Sequence, residues 1–392
     1  MRVTLVAWHV DADVLDEEAL LARYSTLTGW ADALRETGAR VSVVLRFHRD
    51  SQLTHGEVDY RFCRVEASWI PGFDRPRGRF MAAVRAARPD VVHVNGLQFA
   101  TLAWHLRRRL PETCAVVLQD HASRYPVEPG GAAQRLKRAA LRRAMQAPDG
   151  YLFTAAAQAV PWQAAGLIRP SQVMRPVPEG STTLSPAAVD EARAATGISG
   201  SPAILWVGRL NANKDPLCVV DACAAVQATY PALTLTMVFG DDDLLSEVRR
   251  RVGGHVALAP KVRLMGRVPH DRMALVYSAA DIFVLGSHYE GSGFALIEAC
   301  ACGVPPAVTD IPSFRALTGA GRIGALWRVG DPYACADAIC RVASAAAPGQ
   351  RDAVRAHFER SLSWSAIGRL ALASYGQLLI ERRATASCIA TP

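Results

Sequence analysis

Two textures alternate along the chain. Short apolar runs, among them VTLVA, VVHV, AVVL, ILWV and IFVL, are separated by longer stretches whose apolar positions recur every three or four residues. The runs have the length of buried strands and the longer stretches that of helices, so their regular alternation predicts parallel sheets covered by helices on both faces. In the first half, strands are expected at RVTLVAWHV, ARVSVVLRF, DVVHVN, CAVVLQD and GYLFTA. Helices are expected at EEALLARYSTLTGWADALRETG, closed by Gly38, and at RFMAAVRAA, FATLAWHLRRRL and QRLKRAALRRAM. The text from His48 to Gly78 fits neither period and predicts an irregular region.

The rhythm lapses over PVPEGSTTLSPAAVDEARAATGISGSP, whose Pro, Gly, Ser and Thr content predicts a linker. It resumes with strands AILWVGRL, LTLTMVFG, KVRLMGRV, DIFVLGS and PPAVTD, interleaved with helices. A helical block from Arg351 to Arg383 and a loose tail, ATASCIATP, end the chain. At 392 residues the chain is too long for one ordinary core. The reading is therefore α/β, with two Rossmann-like, doubly wound domains over 1–185 and 198–360 and a C-terminal helix over 361–385. In such sheets ligands gather beyond the carboxyl ends of the strands, so chemistry is sought in the turns that follow them. A crevice between two such domains is the expected place for a small molecule.

Composition narrows the class. Half the residues are hydrophobic and 20% are charged, which excludes a disordered chain. No apolar run reaches membrane-spanning length, and the N-terminus reads as a strand, not a signal peptide. The nine cysteines form no CxxC pair and lie mostly among alanines, so buried thiols in a reducing cytoplasm are expected. Net charge is +8, and residues 1–180 carry 24 Lys and Arg against 18 Asp and Glu. The basic clusters are Arg107, Arg108 and Arg109, then Arg135, Lys137, Arg138, Arg142 and Arg143. A solvated helix face is the favoured reading of them. A peripheral contact with an anionic membrane, or an anionic acceptor, is the sharper alternative, and no nucleic acid is expected.

The stretch HYEGSGFALIEACACGVP places Glu290 and Glu298 with seven residues between them, across a glycine-rich turn that opens a helix. A helix start presents unpaired N–H groups and a positive dipole end to an anion. Gly291 and Gly293 allow close approach, so the amides of Gly293, Phe294 and Ala295 suit a phosphate or a sugar hydroxyl. Glu298, one turn on, suits two hydrogen bonds from the vicinal diol of a ribose, and Glu290 suits a second polyol. The other reading makes Glu290 an ordinary first-turn acid and Glu298 a solvated one. A second element tips the balance. In LWVGRLNANKDP, Gly208 turns the chain after a strand, and Arg209 and Lys214 follow on one loop. A guanidinium fork and an ammonium point charge together suit a diphosphate.

These two stretches, VGRLNANKDP and EGSGFALIEACACGVPPAVTDIPSFRAL, resemble the retaining glycosyltransferases of family 4. The likeness is strongest over residues 203–315 and weaker through the first half. It implies a GT-B fold, two Rossmann-like domains facing across a cleft, with the C-terminal helix crossing back to the first domain. It implies that Arg209 and Lys214 neutralise the donor diphosphate and that Glu298 holds the ribose. Glu290, Gly291, Ser292, Gly293 and Phe294 would hold the transferred sugar, and Arg267 and Val268 would lie beside the base. His121, in LQDHASRYP, matches a histidine that touches that sugar, against the plainer reading of a packed loop histidine. Gly29 would lie near the phosphates and the acceptor.

The chain departs from the pattern where the family has two glycines after its first strand, where it has Asn-Gly against PEG here (Glu179, Gly180), and at VFGDDD. The implied reaction is front-face displacement with retention, from a nucleoside-diphosphate sugar to a hydroxyl of a glycan, lipid-linked or small-molecule acceptor. UDP is the favoured nucleotide and GDP is open. The sugar nucleotide is a co-substrate, and neither cofactor nor metal is expected. Asp241 to Asp243 read as acids at a helix start. A sugar-nucleotide epimerase of the same architecture and a catalytically degenerate nucleotide- or glycan-binding protein are the competing readings. A nicotinamide enzyme is disfavoured, because no GxGxxG follows the first strand.

Overall fold

The computed structural model describes residues 1–64, 78–121, 132–345 and 348–389, the side chains of 132–137 and 386–389 excepted. The chain divides into two compact units, Met1–Gly180 with Trp364–Pro392, and Ser181–Ser363.

The first unit holds β1 (Arg2–Ala7), β2 (Arg40–Phe47), β3 (Ser51–His55), β4 (Val58–Arg64), β5 (Val91–Asn95), β6 (Ala115–Gln119) and β7 (Gly150–Leu152). Their order across the sheet is β3-β4-β2-β1-β5-β6-β7. Every pairing is parallel except β3 with β4, an antiparallel edge hairpin. That hairpin occupies part of the text expected to be irregular; residues 65–77 of it lie outside the described residues.

Strand residues alternate between two cores. Val92, Val94, Val116 and Leu118 face one, while Val91, Ala115 and Val117 face the other. Both faces are covered, which is why these strands read as continuous apolar runs. The expected first helix is two helices, Glu17–Arg23 and Ser25–Glu36, broken at Tyr24. The second carries Leu27, Trp30, Ala31 and Leu34 into the core.

The helix Trp364–Ile389 packs on this unit and contributes Ile367, Ala371, Tyr375 and Leu378 to it. It approaches helix Ser25–Glu36 through two glycines. A Cβ on Gly29 would strike the Trp364 ring, and one on Gly368 would strike the Ala33 carbonyl. Farther along, Arg382 pairs with Asp149, which also binds Arg107 at 3.2 Å. The helix runs through most of the tail expected to be loose, and it is separate from helix Gln350–Ser361.

The second unit holds β8 (Ala203–Val207), β9 (Thr234–Val238), β10 (Val262–Gly266), β11 (Ile282–Leu285), β12 (Pro306–Thr309) and β13 (Ala325–Trp327). All are parallel, in the order β10-β9-β8-β11-β12-β13. Counted from its first strand this is the 3-2-1-4-5-6 order of a dinucleotide-type sheet, and the connection reverses direction between β8 and β11. The expected linker is partly structured. Helix Val189–Thr196 ends at Gly197, and Arg193 Nη2 donates to both carboxylate oxygens of Asp281 at 2.9 Å.

Within the arginine run Arg107 is structural, whereas Arg108 and Arg109 are exposed. Arg107 donates to the carbonyls of Cys114, Leu110 and Pro111, and Arg108 lies 5.0 Å over the Trp104 ring. Of the second basic cluster, the side chains of Arg135 and Lys137 lie outside the described residues. The described cysteines are free thiols, all but Cys340 buried, and burial pushes Cys218 and Cys223 up to about 12. Among the described residues no helix is long and apolar enough to cross a membrane.

Candidate functional site

The loops after β8 and β11 are the two that flank the strand reversal, and hydrogen bonds stitch them together. His288 N–H donates to the Asn213 carbonyl at 2.8 Å, and Asn213 Nδ2 donates to the Tyr289 carbonyl at 3.0 Å. His288 Nε2 lies 3.0 Å from Asp215 Oδ2. Asp215 also caps helix Pro216–Val226, accepting from Cys218 N–H at 3.3 Å. It does so at φ 42°, in the left-handed region where a non-glycine residue is strained. Gly286 packs so closely that a Cβ there would meet the Asp215 carbonyl at 3.2 Å.

Within this frame Lys214 Nζ pairs directly with Glu290 Oε1. The pair is well covered, with 14% and 11% of the two side chains exposed. Ser287 Oγ donates to the same carboxylate oxygen at 2.7 Å, and Thr309 Oγ1 anchors the Ser287 carbonyl at 2.6 Å. The lysine stem crosses Gly208, where a Cβ would sit 3.5 Å from Lys214 Cγ. Burying an ion pair costs desolvation that its attraction only partly returns, so the pair is a poor stabiliser. It is a charge held in place: an ammonium that an incoming anion can engage.

Arg209, on the same loop, is 64% exposed and lies 4.0 Å from Asp241 Oδ2. The acidic run Asp241 to Asp243 lies directly before helix Leu245–Gly254, whose N-cap is Leu244, and Asp241 faces Arg209. Gly291, Ser292 and Gly293 are buried, and helix Phe294–Ala301 starts directly after them. Gly293 is left-handed at φ 67°, and a Cβ on it would lie 2.7 Å from Leu317 Cδ1. Conformation and space both demand glycine there. Phe294 is exposed and Ala295 partly buried at the helix start.

Glu298 lies one turn into that helix. Tyr277 OH donates to Glu298 Oε2 at 2.8 Å, while Oε1 lies 3.9 Å from Nδ1 of the exposed His270. One oxygen therefore already accepts a bond from within the unit. Burial raises the Glu298 pKa from its ordinary value, against the lowering effects of the Tyr277 bond and of His270. The spacing of the glutamates gave no hint of Tyr277; the available signal was a phenol in the apolar helix MALVYSA, which needs a partner once buried. Arg267 and Val268 follow β10. Arg267 passes over Gly240, where a Cβ would lie 3.5 Å from Nη2, and Val268 is partly buried.

In the first unit, His121 follows β6 and its Nδ1 lies 2.7 Å from Glu179 Oε1. The Glu179 carbonyl in turn accepts from Trp30 Nε1 at 2.5 Å. The two are too far apart in sequence for local reading to join them. Gly29 is not in a turn. It sits inside helix Ser25–Glu36 beneath Trp364, so its small size serves packing. A cavity of about 490 Å³ opens at the amino-terminal edge of the second sheet, lined by Arg193, Asp281 and Arg351 among others. Its arginines are already committed, Arg193 to Asp281 and Arg351 to the Ala280 and Ser278 carbonyls.

Residues 201–345 match the model described as glycosyl transferases group 1, and residues 25–180 match that of a glycosyl transferase 4-like domain. The chain is 31% identical over 229 residues to D-inositol 3-phosphate glycosyltransferase of Acidothermus cellulolyticus, covering 55% of this chain and 50% of that one. It is 29% identical over 163 residues to the protein of the same name from Corynebacterium urealyticum, covering 40% of this chain and 38% of that one. The matching stretches thus span half or less of these relatives' own length. In fold it resembles sucrose-phosphate synthase from Thermosynechococcus elongatus, with a TM-score of 0.67, 22% identity, and 97% and 99% of the two chains covered. It also resembles HepE of Anabaena in complex with UDP and glucose, with a TM-score of 0.65, 16% identity, and 96% and 100% covered.

Proposed function

Because this chain belongs to the group 1 glycosyltransferases, family 4 enzymes of the GT-B fold, we propose that it moves a sugar from a nucleoside-diphosphate sugar to a hydroxyl acceptor with retention of configuration. The observation that carries the reading is the pairing of Lys214 with Glu290 where the second sheet reverses its strand order. A donor diphosphate would take Glu290's place as counter-ion to Lys214, and that carboxylate, still held by Ser287, would accept from a sugar hydroxyl. Arg209, exposed on the same loop, would close on the outer phosphate oxygens. The first amides of helix Phe294–Ala301 would add donors without a side-chain cost.

As the glycosidic bond breaks, charge builds on the leaving diphosphate. Fixed cations and N–H groups stabilise that charge more in the transition state than in the bound donor. The acceptor hydroxyl attacks from the same face, and a leaving phosphate oxygen takes its proton. Glu298 would hold the ribose, Arg267 and Val268 would border the base, and His121 would contact a substrate hydroxyl. The relatives' names point to a small hydroxylated acceptor, and UDP is the favoured nucleotide.

The test is a thermal-melting panel of UDP-, GDP- and ADP-sugars, followed by transfer to polyol acceptors with the anomeric product read by NMR. One nucleotide class should raise the melting point, since a ligand of the native state stabilises it by about 2.7 kcal/mol at a hundredfold excess over Kd. The product should keep the donor's configuration, and transfer should survive excess chelator. An inverted product, or no nucleotide that shifts the melting point, would overturn the proposal.

A further inference from the structure

We infer that Tyr277 is a positioning residue for nucleotide recognition, holding one oxygen of Glu298 from beneath so that the other alone faces the ribose. The inference rests on the donor reading above. Tyr277 is fully buried in helix Met273–Ala279, its ring 6.1 Å from that of Phe283 on β11. Its hydroxyl donates to Glu298 Oε2 at 2.8 Å. A carboxylate supplies only lone pairs, so the direction of that bond is set and the phenol proton is committed inward. Oε1 points the other way, toward the exposed His270 at 3.9 Å, a separation too long for a hydrogen bond. Glu298 itself is 16% exposed, so the outer oxygen is the part a ligand can reach.

Two consequences follow for a bound nucleotide. First, the carboxylate is oriented before the ligand arrives, because Glu298 is tied at one oxygen to a fully buried side chain. A ribose hydroxyl then meets an acceptor already in place, and less ordering entropy is lost on binding. Second, a buried carboxylate tends toward its neutral form, and the Tyr277 bond opposes that tendency. The phenol thus keeps Glu298 a strong acceptor. With one outward oxygen, the site should discriminate sharply between a ribose and a sugar lacking the hydroxyl that meets it, since the deoxy ligand leaves a buried acceptor unpaired.

The experiment measures calorimetric affinity of the full chain for a nucleoside diphosphate and its 2′-deoxy and 3′-deoxy forms, in wild type, Tyr277→Phe and His270→Ala. The nucleotide is whichever the melting panel selects. Wild type should prefer the ribo form over at least one deoxy form by about tenfold, the size of a hydrogen bond to a charged group. Tyr277→Phe should bind the ribo form about tenfold more weakly and lose most of the preference, while melting cooperatively. His270→Ala should keep the preference. A Tyr277→Phe variant with wild-type affinity and preference would overturn the inference, as would equal loss in His270→Ala. Wild type that binds no nucleoside diphosphate at all would instead count against the donor reading itself. Should the phenylalanine variant not fold, a wild-type crystal structure with the diphosphate bound decides the matter. A ribose hydroxyl on Oε1 with Tyr277 still on Oε2 supports the inference, and a ribose spanning both oxygens contradicts it.

Discussion

The two units repeat one sheet order around their central strands, yet the residues near their strand reversals hold opposite contents. In the second unit the reversal between β8 and β11 gathers Lys214, Glu290 and Ser287, with Arg209 exposed beside them. In the first, the reversal lies between β1 and β5, and beside the polar cluster of Asp11, Arg23 and Tyr24 it is filled by packing. Trp8 stacks edge-on against Phe80 at 4.7 Å, and His93 on β5 is buried with its Nδ1 2.6 Å from Tyr375 OH. The contrast is sharpest at two glycines. Gly208 leaves room for a lysine stem that carries charge to a loop, and Gly29 leaves room for a tryptophan that docks a helix. Strand topology offers a site at both places; only the side chains decide whether chemistry occupies it.

The largest effect that would break this contrast is on transfer. Lys214→Ala should cut kcat by about 10²–10³, the usual loss when a charge-stabilising donor is removed. Arg209→Ala should cost less, because its guanidinium is mostly in water. Steady-state rates with the donor saturating would show it; equal rates in all three proteins would place the charge stabilisation elsewhere.

Next in size is Gly29→Ala. Its methyl would collide with the Trp364 ring, so denaturant unfolding should show a loss of about 1–3 kcal/mol, with nucleotide affinity unchanged in the folded protein. Weakened nucleotide binding at undiminished stability would return Gly29 to the donor site.

The smallest effect is acid sensitivity in the first unit. Burial lowers the His93 pKa to about 3, against an ordinary value of 6.5. Between those values the unfolded chain binds a proton that the folded chain refuses, so stability is intact above pH 6.5 and falls as pH drops toward 3. At pH 5.5 the loss should be about 1 kcal/mol, read from urea midpoints at pH 7.5 and 5.5. His93→Gln should flatten the dependence; an identical slope in that variant would assign it to other groups.

How far the sequence could be read differs between the same regions. The central strands of both sheets are apolar on both faces, so continuous runs announced them, and the candidate site residues of the β8 and β11 loops lay within two short motifs. Edge strand β13 went unseen because it is only three residues long, and the β3–β4 hairpin because its exposed face breaks the apolar run. Tyr24 carried no glycine or proline to mark the break between the first two helices. Gly29 misled for a physical reason: a glycine in a turn and a glycine under a ring look alike until Trp364, far along the chain, is placed upon it. The partners Tyr277 and Glu179 were likewise beyond local pattern, since each meets its glutamate or histidine only through tertiary folding.

The most direct measurement is a calorimetric titration of nucleoside, nucleoside monophosphate and nucleoside diphosphate into wild type and Lys214→Ala. If the second unit's loops grip a diphosphate, affinity in wild type should climb from nucleoside to diphosphate, and the lysine variant should lose at least about tenfold at the diphosphate while binding the nucleoside as before. Equal diphosphate affinity in the two proteins would contradict the account.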